Sequence, residues 1–367
     1  MNIEVLNQNF ELIAVISEYE SFIWADRYNT PGDFEIYSPI TSNNLVYLIR
    51  DNYIRMEGSE HLMIIEDLVY ESNSNGNGRK VQILGRSLES ILDRRIVWGK
   101  VDVNGNFQDE VARLFNDNII SPEVSDRAIS NFIFERSADS RITSLTVNGQ
   151  YTGDTLLSII QTLTEEFDIG WKIILNDNNQ FVFSFYVGTD RSYQQNDVPS
   201  VVFSPDFENV ISSTYTVSGA TAKTVILVSG NYRPPKDPDA QSDSEEEEED
   251  TTVYRTIGGG TGLLRREMYA NESGIEQDEG MTKEDYEAKL DQFGSIELKQ
   301  NAVSKKFDGQ YETRLTFKYG VDFFIGDTVE VADEFGNEAT SKVVEFIWSN
   351  NISDGEEAYP TFRSNDE

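Results

Sequence analysis

The sequence contains no cysteine and only one histidine among its 367 residues. Without cysteine there are no disulfides, zinc–thiolate sites, iron–sulfur clusters or thiol nucleophiles. The single histidine, His61, has neither a second histidine nor an HExxH motif with which to build a metal site or a catalytic triad. We therefore expect no metal site and no cofactor, and we interpret His61 as a packed or edge residue of a strand.

Positive charge is scarce as well. The chain has 30 Lys and Arg against 65 Asp and Glu, a formal net charge of −35. Proteins that bind a phosphate backbone present a basic face, so this composition argues against a nucleic-acid binder. Two carboxylates could serve a glycosidase, but with so many acids chance pairs are common and no spacing is diagnostic. We therefore name no catalytic residue.

Long hydrophobic runs are also missing. The longest, at 45–49 and 225–228, fall far short of the roughly 20 apolar residues that a membrane-spanning helix needs. The first residues have neither the basic nor the apolar region of a secretory signal peptide. We expect a protein made in a cytoplasm and not inserted into a membrane. Its 38% of hydrophobic residues are enough to build folded cores.

Residues 1–100 are rich in side chains that favour strands. Turn signals lie at 30–33 and 73–78, where Gly and Asn suit the tip of a hairpin. Short strands separated by such turns indicate a small barrel or sandwich. The predicted strands are 10–16, 19–28, 34–38, 61–70 and 80–85.

The hydrophobic period then changes to that of helices. Ser87 is predicted to cap a helix over 88–95, a second helix covers 107–115, and Asp154 opens a third that ends near Gly170. A hairpin follows over 171–187. Residues 101–200 are therefore predicted to form an α+β module.

Strand signals return at 200–203, 210–217 and 223–232. Residues 233–262 are predicted to be an acidic, Pro- and Gly-rich flexible linker or loop, because 233–250 alone hold nine acids and three prolines. Thr282 to Asp285 have the pattern of a capping box that opens a short helix within 263–308. Residues 309–367 return to β structure, with strands predicted at 311–319, 328–331, 340–348 and 359–362.

Four segments share a pattern with one known family. They are Tyr19 to Trp24 with Arg27 and Gly32-Asp33-Phe34, then Gly85-Arg86-Ser87-Leu88, Gly326-Asp327 and the closing Tyr359-Pro360-Thr361-Phe362. In this order they resemble the siphophage tail-hub family of ReqiPepy-type tail proteins, and they frame about two thirds of the chain.

Most of these residues suit a structural role. Gly32 follows Pro31 in a turn that would penalise a side chain if its φ is positive. Gly85 is predicted to end a strand before the helix capped by Ser87, and Gly326-Asp327 to open a strand after a turn. Arg27 and Arg86 are expected to pair with carboxylates, with a contact between subunits as the alternative.

The resemblance implies an α+β, mostly β fold similar to the baseplate hub of contractile phages. Each chain would hold two small β-barrel tube-type domains, over 1–100 and 309–367, with the α+β module and the helical segment between them. Strands from 200–232 would complete the first barrel or join the second. A homotrimer would then place six barrels around a channel and continue a sixfold tail tube.

The resemblance also implies a place in the virion. The protein would be a structural component of the tail tip that is made in the bacterial host cytoplasm. Its expected partners are a distal tail protein, the tape-measure protein and a receptor-binding or spike protein. Acidic residues lining the channel would let DNA pass during ejection without specific binding, although the charge could instead serve solubility alone.

Two alternative functions stay open. One is a β protein that binds carbohydrate on the host surface, but all four tryptophans lie in or beside apolar patterns rather than in polar loops. The other is a hub with cell-wall hydrolase activity. We expect no such activity, because Glu367 follows closely on the last predicted strand.

Overall fold

The computed structural model describes the chain except residues 1, 42–43, 73–78, 235–250, 276, 278–279, 314–315, 352–354 and 365–367 and the side chains of residues 44 and 308. The predicted hairpin tip at 73–78 and residues 235–250 of the predicted acidic linker lie outside the described residues. The linker prediction is wrong for Thr251–Gly258, which form a strand paired with Val225–Tyr232.

Strands dominate the described chain, which confirms the α+β, mostly β prediction. They are β1 (Ile3–Leu6), β2 (Leu12–Ile16), β3 (Ser21–Arg27), β4 (Asp33–Pro39), β5 (Tyr53–Met56), β6 (Leu62–Glu71), β7 (Lys80–Ser87), β8 (Lys100–Asn106), β9 (Phe132–Glu135), β10 (Thr146–Thr152), β11 (Gly170–Leu175), β12 (Phe181–Tyr186), β13 (Val202–Phe203), β14 (Val210–Ser218), β15 (Val225–Tyr232), β16 (Thr251–Gly258), β17 (Glu267–Asn271), β18 (Ser304–Tyr311), β19 (Thr328–Ala332), β20 (Glu338–Asn351) and β21 (Gly355–Ser364).

Helices are fewer and mostly short. The α-helices are α1 (Asn44–Tyr47), α2 (Phe107–Phe115), α3 (Ser140–Thr143), α4 (Leu156–Glu166) and α5 (Lys283–Gln300). Short 3-10 helices cover Leu88–Arg94, Ser125–Arg127, Pro205–Phe207 and Gly262–Leu264, and a π-helical turn covers Asn116–Ile120. None of these described helices is both long and apolar enough to cross a membrane.

The largest sheet has thirteen strands and joins the two ends of the chain. Its order is β14-β18-β21-β20-β3-β4-β7-β6-β5-β1-β2, with β19 pairing β20 and β13 pairing β19. The junction is the antiparallel pair of β3 and β20, in which Trp24 lies opposite Trp348. Pairing among the described residues leaves β2 and β14 as open edges and does not close the sheet.

The core under this sheet follows from alternation along β3 and β4. Phe22 and Trp24 on β3 and Phe34 and Ile36 on β4 are almost fully buried, as expected when one face of a strand is covered. They join side chains of β18 to β21, including Phe346, in one hydrophobic cluster. Strands from both ends of the sequence therefore share a single core.

A second core lies in the α+β module. The predicted stripes of α2 and α4 are confirmed, and both bury their apolar face in one hydrophobic cluster with β11 and β12, which form the predicted hairpin. The third helix begins one residue later than predicted. Thr155 rather than Asp154 is its cap, because the Thr155 side chain accepts a hydrogen bond from Ser158 N.

The third unit packs α5 against a small sheet of β16, β15 and β17. The capping box at the start of α5 is confirmed, since the Thr282 and Asp285 side chains each bond the other residue's backbone N–H. Tyr286 and Leu290 are fully buried in its core, with Phe293 packed beside them.

The strands of 200–232 go to different sheets. β14 pairs with β18 and β13 with β19, whereas β15 lies in the small sheet. The predicted strand over 311–319 is wrong in its described part, since the strand here is β18 and ends at Tyr311. The division into two barrel domains stays a prediction.

Candidate functional site: the junction of the two chain ends

Arg27 ties three neighbouring strands together. It ends β3, and its guanidinium lies 2.7 Å from Glu345 Oε1 on β20 and 3.0 Å from Asp33 Oδ2 at the start of β4. Its Nη1 also donates to the carbonyl of Pro31 in the hairpin between β3 and β4. The expected ion pair is therefore present within one chain, and it spans the seam where the two ends of the sequence meet.

Gly32 and Ser87 join the same seam by two hydrogen bonds. Gly32 N donates to Ser87 Oγ at 2.8 Å, and Ser87 N donates to Gly32 O at 2.9 Å. The predicted role of Ser87 as a helix cap is wrong, because its side chain caps nothing and the following turn is a 3-10 helix. Gly32 has no positive φ. A Cβ there would instead overlap the carbonyl oxygen of Ala25, so glycine is needed for a close backbone approach.

Gly85 also permits a close approach, but inside β7 rather than at its end. A Cβ at Gly85 would overlap the Ile64 carbonyl oxygen and the Phe34 ring. The facing strand β6 carries a bulge between Ile65 and Asp67, which bends the backbone toward this glycine. Leu88, two residues beyond Arg86, is fully buried in the core of the α+β module.

Arg86 makes the bidentate pair expected of it. Its Nε and Nη2 donate to the two carboxylate oxygens of Glu66 at 2.7 and 3.0 Å, and Asp93 lies 3.3 Å away. Eight family positions thus lie where β3, β4 and β7 meet the module: Arg27, Gly32, Asp33, Phe34, Gly85, Arg86, Ser87 and Leu88. A contact of either arginine with another subunit remains a prediction.

Gly326 and Asp327 form a separate anchor before β19. Gly326 has φ +91°, which favours glycine. The buried Asp327 carboxylate accepts hydrogen bonds from Thr189 N at 2.7 Å, Arg191 Nε at 2.7 Å and Phe324 N at 3.0 Å. This carboxylate binds the last part of the α+β module, after β12, to the C-terminal strands.

A buried charged cluster that the sequence analysis did not predict surrounds His61. The imidazole Nδ1 lies 3.1 Å from Glu89 Oε1. Asp26 accepts hydrogen bonds from Trp24 Nε1 at 2.8 Å and from Ser59 Oγ at 2.7 Å. His61, Asp26 and Glu89 are 7%, 1% and 2% exposed, so no substrate in solution can reach them.

The charges in this cluster control one another. Burial alone would lower the pKa of His61, but Asp26, Glu89 and Glu60 outweigh it and raise that pKa to about 9. Burial raises the pKa of Asp26, which His61 only partly offsets. Burial would also raise the pKa of Glu89, but His61, Ser87 and Ile173 N together lower it. The raised pKa keeps the buried His61 protonated at neutral pH, so it takes part in the core as a cation paired with carboxylates.

A third charged group holds the α+β module on the sheet. Asp168 follows α4 and pairs with Lys342 of β20, and it also accepts a hydrogen bond from Arg363 Nη2 of β21 at 2.5 Å. The Lys342 ammonium lies 4.8 Å from the centroid of the Tyr28 ring. Burial lowers the pKa of Lys342, although Asp168 opposes this.

Sequence signals for some of these residues exist. Asp26 continues the alternation of Phe22 and Trp24, so its carboxylate is placed on the buried face of β3. Glu89 lies between buried Leu88 and Ile91. No local pattern points to Arg191 or Asp168, because their partners are far away in the sequence.

One expectation about the tryptophans is wrong. Trp24, Trp171 and Trp348 are buried, but Trp98 is 56% exposed. The guanidinium of Arg127 stacks over it, 4.2 Å from the ring centroid. Among the described residues, no three or more acidic or histidine side chains converge as a metal site.

The fold defined by this junction is that of phage tail proteins. The 43 kDa tail protein of prophage MuSo2 from Shewanella oneidensis superimposes with a TM-score of 0.57 at 12% identity, over 99% of this chain and 98% of that chain. Prophage tail protein gp18 from Listeria monocytogenes gives a TM-score of 0.54 at 11% identity, over 100% and 95%. The Francisella PdpA–VgrG complex gives 0.50 at 10% identity, over 99% of this chain and 52% of that chain.

The sequence assigns the chain to one family within this class. Residues 2–360 match the family described as Siphovirus ReqiPepy6 Gp37-like protein, and the chain belongs to it. No curated protein matches the sequence. The resemblance drawn from the motifs at both ends is thereby confirmed.

Proposed function

We propose that this protein is the structural hub of a siphophage tail tip. The observation that carries the proposal is the thirteen-stranded sheet, in which strands from both ends of a ReqiPepy6 Gp37-like chain share one core. A rigid frame of this kind suits a protein that transmits load between neighbours rather than one that processes a substrate. The fold shared with prophage tail proteins supports the same conclusion.

Three copies would form a closed ring. The N-terminal and C-terminal strand groups would each contribute one tube-type domain, so a trimer would present six similar units to the sixfold tail tube. The ring would connect the tube and its distal tail protein to a receptor-binding or spike protein, and its lumen would meet the tape-measure protein. The protein would act in the virion after synthesis in the host cytoplasm, without membrane insertion.

The net charge of −35 per chain supports a channel that does not hold DNA. A lumen lined by carboxylates repels phosphates and gives no counterion release, so DNA could slide through it. Solubility of a large particle is the competing explanation. A map of the potential inside the assembled ring decides between them, since a neutral or basic lumen contradicts the channel role.

We propose no catalytic activity for this chain. The cluster of buried titratable groups around His61 is closed to solvent, and His61 lies 3.1 Å from its internal partner Glu89. Incubation with purified host cell walls should release no soluble fragments. Release above that of a heat-denatured sample would overturn this part of the proposal.

The hub itself is tested by mass and by location. Light scattering of the purified chain should give three times the mass of one chain, and labelled antibody should bind the tail tip of intact virions. A stable monomer that is absent from virions would contradict the hub. A second candidate function is carbohydrate binding, because the Trp98 ring is exposed. Binding of host glycans by the wild type, lost in a Trp98→Ala variant, would favour this second function.

A further inference from the structure

Two of the three most exposed large apolar side chains of the described chain lie on one short turn. Leu263 is 99% and Leu264 is 77% exposed, on the 3-10 turn Gly262–Leu264 between β16 and β17. Arg265 and Arg266 follow directly and are also exposed. We call residues 262–266 the basic tip. It combines two exposed leucines with two arginines in a chain where acids outnumber bases by 65 to 30. Arg265 pairs with Glu267, which follows the tip in the same chain.

The tip has a defined position. Arg266 N donates to Thr224 Oγ1 at 2.9 Å, and Thr224 N donates to Arg266 O at 2.9 Å. The Arg266 guanidinium also bonds the carbonyl of Gly219, the residue directly after β14. These bonds hold the tip beside the β14 edge of the thirteen-stranded sheet, so its leucines project from a fixed base.

A groove with a mixed apolar and polar lining lies at the other edge of the same sheet. It runs along β2, and its walls include Ile13, Val15, Pro39, Tyr47 and Leu48. Among the described residues that line it, Glu18 is the only charged one. Glu18 is exposed and forms no ion pair within the described part of the chain. We call this the β2 groove.

The strand beside the groove lacks the usual protection of a sheet edge. β2 has the sequence LIAVI, without a charge or a proline, and Leu12 and Val15 are 55% and 54% exposed. Leu45 and Val46 of α1 add two more exposed apolar side chains nearby in the sequence. Proteins normally place Lys or Pro on such an edge to prevent association. An unprotected edge in so acidic a chain indicates that another chain covers it.

We infer that the basic tip of one copy binds in the β2 groove of the next copy. Leu263 and Leu264 would pack against the apolar side chains of the groove, and Arg265, which pairs with Glu267 of its own copy, would also meet the carboxylate of Glu18. Tip and groove are different surfaces of the chain, the first in the small sheet and the second along β2, so the contact is head-to-tail and can continue around a ring. The local cations also offset the repulsion between copies that each carry −35. The inference rests on the proposed self-assembly and assigns its interface.

The absence of cysteine makes the contact directly testable. A Val15→Cys, Leu264→Cys double variant, oxidised at a concentration where the chain associates, should form a covalent ring of three chains on a non-reducing gel. The matched control is Phe335→Cys with Leu264→Cys, because Phe335 is also strongly exposed, at 77%, but lies on another turn. A covalent yield no higher than that of the control would overturn the inference.

The two proposals fail differently. A trimeric mass for the unmodified chain without the cross-link would contradict this contact and leave the hub standing. An open ladder of cross-linked chains would support the contact and contradict the closed trimer. A peptide with the sequence of β14 gives a third outcome. If the two cysteines cross-link only when this peptide is present, β2 binds an extended strand, and the proposed role of the tip is wrong.

Substitutions in the basic tip and in the β2 groove give a second test that does not depend on oxidation. Leu263→Asp with Leu264→Asp should weaken self-association about a hundredfold or more, because two leucines lose their burial. Glu18→Arg and Arg265→Glu should each weaken it, and the combination should restore it. Failure of the combined variant to recover, with each single variant folded by circular dichroism, would exclude the Glu18–Arg265 contact.

Discussion

The thirteen-stranded sheet and the small sheet of β15 to β17 are opposites in how they are stabilised. In the first, strands from both ends of the chain share one hydrophobic core. Ion pairs of Arg27 with Glu345 and of Asp327 with Arg191 add to it. The second covers one face with α5, over seven buried apolar side chains in the described residues, and leaves Tyr254 and Tyr269 about 60% exposed on the other. The chain thus combines a frame that resists deformation with a lightly built unit that presents a tip.

The attachment between the two regions is also slight. The small unit reaches the α+β module mainly through polar contacts of α5. Lys289 Nζ lies 2.7 Å from Asp102 Oδ1, and Gln292 Nε2 donates to Glu166 Oε2 at 3.2 Å. We therefore expect the small unit to unfold locally before the frame does.

The largest effect should come from Trp24 at the junction of the frame. Trp24→Ala removes a fully buried indole between Phe22 and Phe34 and should lower the free energy of unfolding by about 4 kcal/mol. Denaturant unfolding followed by circular dichroism measures this. Trp98→Ala is the control, because half-exposed Trp98 lies outside the frame and should cost far less. Equal losses would show that the junction is not the main source of stability.

Alkaline pH should weaken the frame next. The pKa of His61 lies at about 9 in the folded chain, above its ordinary value of 6.5. The charged His61 therefore contributes its full stabilisation of the folded chain below pH 6.5. About 3 kcal/mol of the free energy of unfolding is lost as pH rises through 9.

Unfolding of the wild type and of His61→Gln between pH 6 and pH 10 measures this loss. The variant should be less stable at pH 6 and should show a flatter profile. If both proteins lose the same stability over this range, groups other than His61 are responsible.

An intermediate effect should stay within the small unit. Leu290→Ala opens a cavity in its core and should cost about 2 kcal/mol, which raises the rate of protease cleavage within 251–300 about thirtyfold. The main unfolding transition should not move. Leu227→Ala, on the open face of β15, is the control. A matching shift of the main transition would mean that the two regions unfold as one.

The smallest effect should come from Arg86, which is partly exposed. Arg86→Ala should cost about 1 kcal/mol, because solvent screens its pair with Glu66. A double-mutant cycle with Glu66→Ala isolates the pair. The more exposed pair of Arg55 and Glu4 serves as the reference and should give a smaller coupling. A larger coupling in the reference pair would contradict this order.

Local patterns in the sequence predicted the elements that depend on neighbouring residues. The stripes of α2 and α4 and the capping box of α5 follow from side chains a few positions apart. The bidentate pairing of Arg86 also follows from chemistry, because a guanidinium in an acidic chain finds carboxylates. These features need no knowledge of the rest of the fold.

Contacts between distant residues were not predictable in the same way. Asp327 binds Arg191, which lies 136 positions earlier, and the hydroxyl of Ser87 bonds Gly32 instead of capping a helix. The sequence also did not show which strand each of β13, β14 and β15 pairs with. Their partners are β19, β18 and the two strands β16 and β17, all distant from them in the chain. Similarly, the charge of His61 depends on Asp26 and Glu89, which only the fold brings near.

The pairing of β3 with β20 has a consequence for synthesis on the ribosome. Arg27 and Glu345 are 318 positions apart, so at ordinary translation speeds the early strands wait roughly 15–60 s for their partners. During this interval the apolar face of β3 is bare, which favours capture by a chaperone. A prematurely terminated product that lacks β20 cannot complete its frame, because β3 then has no partner on that side.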